Sequence, residues 1–386
     1  MNTPVIIDAC RTPIGRSHAE RGAYRDVRAD DLAAHVIRTL VERTQIDPAE
    51  IEDVLVGCTQ QRDEQGFNVG RMAALLAGVP HAAGGATINR LCGSSLQALA
   101  QAAHAIVAGA EDVQIVAGVE HMHHLPMDAG ADAINPKLFR TTSKGALMMG
   151  LTAEFLAQAY GISREAQDVF ALASHEKAAA ATDSGEFRAE ITPVWGRSET
   201  GARTLIVEDQ CIRRETSIAA LAELSPAFMP QVGTVTAGNS SPVNDGAAAL
   251  LVMSDRRARE LGLAPLVKVR ATAVAGVDPA VMGTGPVPAV KTALKRAGLK
   301  LADVDLVELN EAFAAQALAC IQLLELDPER VNVRGGAIAL GHPLGASGAR
   351  IVTTLVHAMV ARDAALGLAT MCVGMGQGVA VVLERA

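Results

Sequence analysis

The chain has 386 residues, 49% of them hydrophobic, 20% charged and only 3% aromatic, so it can bury a large aliphatic core in two or three domains. Its net charge of -8 comes from interspersed acids and bases, which excludes the basic stripe of a nucleic-acid binder. Six cysteines, at positions 10, 58, 92, 211, 320 and 372, are too sparse for a disulfide framework and form no C-x-x-C pair, so reduced thiols and no structural zinc are expected in an α/β enzyme.

The first residues carry neither a basic n-region nor an adequate apolar h-region, and no uninterrupted apolar run spans a bilayer; a cytoplasmic protein without a transmembrane segment is expected. Residues 5–9 read as a buried strand, 31–43 as a helix and 53–57 as a second strand. Next comes Thr87-Ile88-Asn89-Arg90-Leu91-Cys92-Gly93-Ser94-Ser95, where small residues open an alanine-rich helix that starts at or just after Cys92 and runs to 109. Free N–H groups and the positive dipole end there favour a thiolate nucleophile. Taken alone, Cys92 fits an inert core residue equally well. Residues 113–118 form a third apolar run ending on glycine, as in a parallel sheet covered by helices.

From 119 to 240 the strand-helix rhythm is lost, and the stretch reads as an insertion that builds a binding wall. It contains His121-Met122-His123-His124, which invites a metal; no carboxylate or cysteine lies at supporting local spacing, so no metal site is expected. It also contains Arg213-Arg214, normally a solvated face, although one arginine could meet a phosphate. Residues 247–253 restore the sheet pattern. The domains expected are 1–118 with 241–265, an inserted 119–240, and 266–386.

The last part repeats the first: strand 267–272, helix 287–297, strand 305–309. Asp47 to Val54 resembles Lys300 to Leu306, a short helical turn into a strand in each half. Asn310-Glu311-Ala312-Phe313 follows the strand at its C-terminal end, where Asn310 can orient a water or stabilise an oxyanion and Glu311 fits a helix-start acid. Residues 335–348 hold five glycines and His342 ahead of a helix at 347–359. An imidazole there suits a general base at neutral pH, and the phosphate-loop spacings are absent. Finally, Cys372 sits where 368–370 and 379–383 read as a glycine-turned hairpin, and a second thiol suits proton donation. Each has a bland competitor, a loop histidine or turn glycines.

Together, 89–95, 310–316, 335–348 and 372–378 resemble the signature motifs of the thiolase family in order and spacing, across essentially the whole chain. The resemblance implies a five-layer αβαβα fold of two similar βαβαβαββ halves with a loop domain inserted in the first. It implies that Cys92 attacks the keto carbon of a 3-ketoacyl-CoA and is acylated, that His342 activates Cys92 and then the CoA thiol, and that Cys372 protonates the departing acetyl-CoA. Asn310, through a water, and His342 would form one oxyanion hole, and the N–H groups of Cys92 and Gly374 the other. Arg213 and Ser241 would contact CoA, with Met149 and Phe313 lining the pantetheine tunnel; CoA is a co-substrate and no bound cofactor is implied. The family pattern implies a homodimer or homotetramer, and possible association with a multifunctional hydratase and 3-hydroxyacyl-CoA dehydrogenase subunit. Ala220 stands where many biosynthetic members carry a serine, and Met148 where short-chain biosynthetic members usually place a histidine. Residues 58–61, 64–68 and 161–165 look most like the bacterial β-oxidation branch.

Overall fold

The computed structural model describes residues 2–127 and 134–386. The first half runs β1 (Pro4–Arg11), β2 (Gly15–Arg16), α1 (Ala29–Thr44), β3 (Asp53–Gly57), α2 (Val69–Leu76), β4 (Ala86–Ile88), α3 (Ser94–Ala108) and β5 (Val113–His121). Helix α1 carries Asp30 and Asp31 in its first turn and Arg43 in its last, each facing the favourable end of the helix dipole. All nine residues of β5 are buried, and the run shows no apolar-polar alternation because both faces of the sheet are covered.

An excursion follows: α4 (Met149–Ala159), α5 (Arg164–Asp183), the small hairpin β6 (Val194–Arg197) and β7 (Arg203–Ile206), and α6 (Ile218–Ala222). The chain returns through β8 (Asn244–Ser254) and α7 (Asp255–Leu261). The second half then runs β9 (Val267–Gly276), α8 (Pro286–Ala297), β10 (Leu306–Leu309), α9 (Ala314–Leu324), α10 (Ala337–Leu340), α11 (Ser347–Arg362), β11 (Leu366–Val373) and β12 (Gln377–Arg385). Helix α8 opens on Pro286 and stops at Gly298 with φ 71°, the residues that suit each end.

The strand order is β10-β11-β12-β9-β1-β8-β5-β3-β4. This is one half-sheet written twice. The first half gives β1-β8-β5-β3-β4 and the second β9-β12-β11-β10, with a parallel bridge of Val307 to Val331 standing where β4 stands in the first. Parallel and antiparallel pairings match throughout: β3 with β5 as β10 with β11, and β5 with β8 as β11 with β12. Only two residue pairs, Val5 with Lys268 and Ile6 with Val267, join the halves into a continuous sheet.

The core lies in layers. Helices α1 and α2 cover one face of the first half-sheet through Leu32, Val36, Ile37, Ala73 and Ala74. Helices α8 and α9 cover the far face of the second through Val290, Leu294, Cys320 and Leu324. Between the two half-sheets lie α3 and α11, whose Leu96, Leu99, Ile106, Ile351, Val352 and Leu355 share one cluster with residues of both half-sheets. The middle layer explains one feature of composition. Residues Leu344–Arg362 are long and apolar enough to cross a membrane, yet 83% of that stretch is buried inside the protein.

Candidate active site

Helices α3 and α11 cross at their N-terminal ends, and that crossing assembles the site. A Cβ on Gly348 would lie 2.3 Å from the Leu96 nitrogen, so only glycine permits the approach. Ser95 Oγ accepts the Ala349 N–H at 2.8 Å and fastens the two ends together.

Cys92 sits in the turn between β4 and α3, partly exposed. The preceding Leu91 has φ 47°, a left-handed conformation that costs a side chain roughly 1–3 kcal/mol and persists because the turn is braced. Leu91 donates its N–H to Asn89 Oδ1 at 2.8 Å, and its carbonyl accepts Thr59 Oγ1 at 3.0 Å and Ser94 Oγ at 2.5 Å. The helix begins at Ser94, and Gly93 is its N-cap, so the thiol lies just outside the first turn. Burial pushes the Cys92 thiol up to about 11, while the backbone N–H groups of Gly374 and of Cys92 itself partly offset this. Burial thus works against the resting thiolate expected at the helix end and favours the thiol.

His342 is buried in the glycine-rich loop. Gly341 before it has φ 118°, and a Cβ there would meet the Asn244 side chain at 2.7 Å, so both conformation and space require glycine. The His342 N–H donates to Asn244 Oδ1 at 2.9 Å, tying the loop to β8. Ser347 Oγ donates to Pro343 O at 2.8 Å and lies 2.6 Å from His342 Nδ1. With its only proton committed, the hydroxyl accepts from Nδ1–H, which leaves the lone pair on Nε2. Burial first, and the nearby Arg350 second, push His342 down to about 3, so the ring is neutral at physiological pH.

Asn310 follows β10, with its Nδ2 at 3.4 Å from His342 Nε2 and its own N–H on Thr370 O at 3.0 Å. Cys372 is buried on β11 opposite Gly378, close enough to Cys92 and Cys320 that their charges would add to burial in holding its thiol well above the usual range. Strands β11 and β12 form the expected hairpin, turned through Gly374, Met375 and Gly376. Met149 and Phe313 pack against the cluster of Met282, Ala312 and Cys372, and Met149 Sδ would lie 3.8 Å from a Cβ on Gly374. The structure thus brings Cys92, Cys372, Gly374, Met149 and Phe313 together, and sets Asn310 against His342.

The remaining candidates lie further out. Arg213 lines a cavity of about 240 Å³ with Arg16, Ser17, His175 and Ser240. Ser241 instead turns inward, its hydroxyl donating to Ala312 O at 3.1 Å, beside Phe313. For the histidine run, the fold supplies what local spacing lacked. Glu64, from 57 residues upstream of His121, approaches His121 and His124. Their ring nitrogens are already engaged: His121 by Tyr24 O at 3.1 Å and the His124 N–H at 3.2 Å, His124 by Arg25 O and Glu64, both at 2.9 Å. The run braces a loop.

Two buried charged side chains, Glu120 and Arg350, escaped the sequence reading, and Glu311 was given another role there. Glu120, after the apolar part of β5, accepts the N–H groups of Thr59 and Gln60 at 3.0 Å, the Gln65 amide at 2.7 Å and the Gly345 N–H at 2.8 Å. It straps the nucleophile half to the histidine loop. Glu311 is not a helix-start acid, since α9 begins at Ala314; it accepts Ser174 Oγ and Asn332 Nδ2 at 2.7 Å and the Ile338 N–H at 3.1 Å. Arg350, on the first turn of α11, faces Glu308 and Asn310. A charge written inside an otherwise apolar strand or helix was the available signal for Glu120 and Arg350; Glu311 lies in the loop between β10 and α9.

Residues 4–256 match the family description "Thiolase, N-terminal domain" and residues 263–385 match "Thiolase, C-terminal domain". The chain belongs to the thiolase family. It is 56% identical to a 3-ketoacyl-CoA thiolase of Cronobacter sakazakii (strain ATCC BAA-894) and 55% identical to one of Aliivibrio fischeri (strain ATCC 700601 / ES114), with 100% of each chain covered in both comparisons. Among solved structures it resembles the Bacillus anthracis acetyl-CoA acetyltransferase, at 40% identity and a TM-score of 0.91, covering 100% of this chain and 99% of that one.

Proposed function

We propose that the chain is an acyltransferase that catalyses CoA-dependent thiolysis of 3-ketoacyl-CoA to acetyl-CoA and a chain-shortened acyl-CoA. Cys92 beside Cys372 and the Gly374 N–H, with Asn310 set against His342, supports this reading. Cys92 Sγ attacks the keto carbon as its proton passes to His342 Nε2, the nitrogen that Ser347 leaves free. The N–H groups of Cys92 and Gly374, already facing the sulfur, hold the oxyanion formed there. The carbon–carbon bond then breaks, and the acetyl-CoA enolate takes a proton from Cys372. Its thioester oxygen is held by Asn310 through a water and by the Nε2–H that His342 has just gained. Return of that proton from His342 to the Cys372 thiolate resets both groups. CoA then attacks acyl-Cys92 with His342 as base.

Two neutral partners suit this scheme. A thiol pushed up to about 11 and an imidazole pushed down to about 3 favour a proton transfer that accompanies attack over a standing ion pair. Arg213 and Ser241 would hold CoA at the phosphate and pantetheine ends, and Met149 with Phe313 would flank the pantetheine arm. The nucleophile half comprises 1–118 with 241–265, the loop domain 119–240 walls the CoA side, and 266–386 supplies Asn310, His342 and Cys372.

The reaction suits a cytoplasmic role in fatty-acid β-oxidation, alone or with a multifunctional hydratase and dehydrogenase subunit. The half-buried edge strand β4 and the 98% exposed Phe67 favour a homodimer or homotetramer. The acetyl-CoA acetyltransferase title of the structural relative favours a second reading, condensation of two acetyl-CoA molecules. Steady-state thiolysis of acetoacetyl-CoA against a long-chain 3-ketoacyl-CoA separates the two: idleness on long chains would overturn the degradative reading. A Cys92 that carries no acyl adduct by mass spectrometry after exposure to substrate would leave only a non-catalytic carrier.

A further inference from the structure

The two ends of the Asn310 amide face opposite demands. One end, Nδ2, lies between the two ring nitrogens of His342, 3.4 Å from Nε2 and 3.5 Å from Nδ1; of these only Nε2 carries a lone pair, so a donor is wanted there. The other lies 3.5 Å from Arg350 Nη2, where an acceptor is wanted. An asparagine with its ends exchanged would set oxygen against a lone pair and NH2 against a guanidinium, both repulsive. Rotating the amide by half a turn changes its shape hardly at all, so packing alone does not choose between the two arrangements.

We propose that Arg350, held by Glu308, is the positioning residue that fixes the Asn310 amide with its NH2 towards His342 and the oxyanion of the departing acetyl-CoA. Arg350 is 1% exposed, and its Nη1 lies 3.5 Å from Glu308 Oε2, whose side chain is equally buried. Its Nε is buried without a partner. A cation kept in the core with an incomplete set of partners costs stability, and orientation of a neighbouring dipole is the return the geometry shows. Fixed charges aimed at a reacting group are most effective away from bulk solvent, and Asn310 is wholly buried.

Arg350 touches no reacting atom. It acts through Asn310, so its effect falls on the step in which Asn310 stabilises the enolate oxygen and spares the step that uses only the N–H groups of Cys92 and Gly374. The inference rests on the thiolase reading above, but its test is separate. Exchange of labelled CoA with acetyl-CoA reports acylation of Cys92, whereas thiolysis of a 3-ketoacyl-CoA also needs cleavage of the carbon–carbon bond.

In Arg350→Met, thiolysis kcat is expected to fall roughly 100-fold with little change in KM, the loss typical of one oxyanion-hole donor, while exchange changes less than about threefold. Arg350→Lys keeps the cation and should recover most of the thiolysis rate. In an Asn310→Ala background, Arg350→Met should leave the ratio of thiolysis to exchange unchanged, because the group through which it acts is gone. If Arg350→Met does not fold, Arg350→Met with Glu308→Gln removes both ionisable groups together and should show the same split. Equal loss of both reactions, or a ratio that still shifts in the Asn310→Ala background, overturns the proposal. If wild-type enzyme performs exchange but no thiolysis, the thiolase reading fails instead.

Discussion

Cys92 and His342 stand at corresponding places in the two halves, each in the loop that leads into the central helix of its own βαβαβαββ unit. The surroundings differ. Cys92 lies in a partly exposed turn two residues before α3, whose fourth residue is Gln97, hydrogen-bonded to Arg90 at 2.8 Å. His342 lies five residues before α11, buried, and the fourth residue of that helix is Arg350. A repeated fold therefore sets the separation and direction of two functional groups, while the residue under each loop sets its chemistry. The nucleophile half leaves an opening for an acyl group, and the base half surrounds its ring with fixed charge and hydrogen bonds.

The largest effect expected from disturbing this pairing is on the nucleophile side. Cys92→Ser should lower thiolysis by at least roughly 10,000-fold, and substrate-dependent mass labelling at position 92 should disappear; near-normal turnover would mean that the half-exposed turn is not the acyl acceptor. On the other side, His342→Gln should cost roughly 1,000-fold in kcat, within the span of a lost general base. A loss confined to KM would show that the buried ring serves binding and not proton transfer.

The charge state of the pair gives a third test. With the thiol pushed up to about 11 and the ring down to about 3, the thiolate fraction rises tenfold per pH unit between. Inactivation by iodoacetamide should accelerate roughly 100-fold from pH 7 to pH 9 without levelling near the usual thiol value. A plateau already at pH 7 would mean a standing thiolate–imidazolium pair and restore the influence of the helix end. The mildest change concerns the strap between the halves. Glu120→Gln places an NH2 among the N–H donors of Thr59, Gln60 and Gly345 and should lower unfolding stability by about 2–3 kcal/mol in denaturant titration. An unchanged midpoint would show that the loops hold together without it.

Much of the architecture was legible in the chain itself. The repeat of helical turn and strand at 47–54 and 300–306 corresponds to Pro48–Glu50 before β3 and Leu301–Asp303 before β10. Apolar runs without alternation marked strands covered on both sides, and the glycine turn at 374–376 marked the last hairpin. Ends were less legible: β5 runs three residues past Gly118 to His121, because β8 pairs with it as far as Asp245. Such pairing depends on a strand more than a hundred residues away.

The sequence by itself determined the half-sheet repeat, the thiols at 92 and 372, the imidazole at 342 and the amide at 310, because residue type and periodicity are local properties. The tertiary structure decided their chemical state. Whether Cys92 rests as thiol or thiolate follows from desolvation by walls drawn from both halves, and the Nδ1–H tautomer of His342 follows from a hydroxyl already committed to Pro343. Glu64 beside His124, Glu120 beneath Gly345 and Arg350 beneath Asn310 are likewise meetings of distant segments. Electrostatics and desolvation depend on distance in space, and only the folded chain sets that distance.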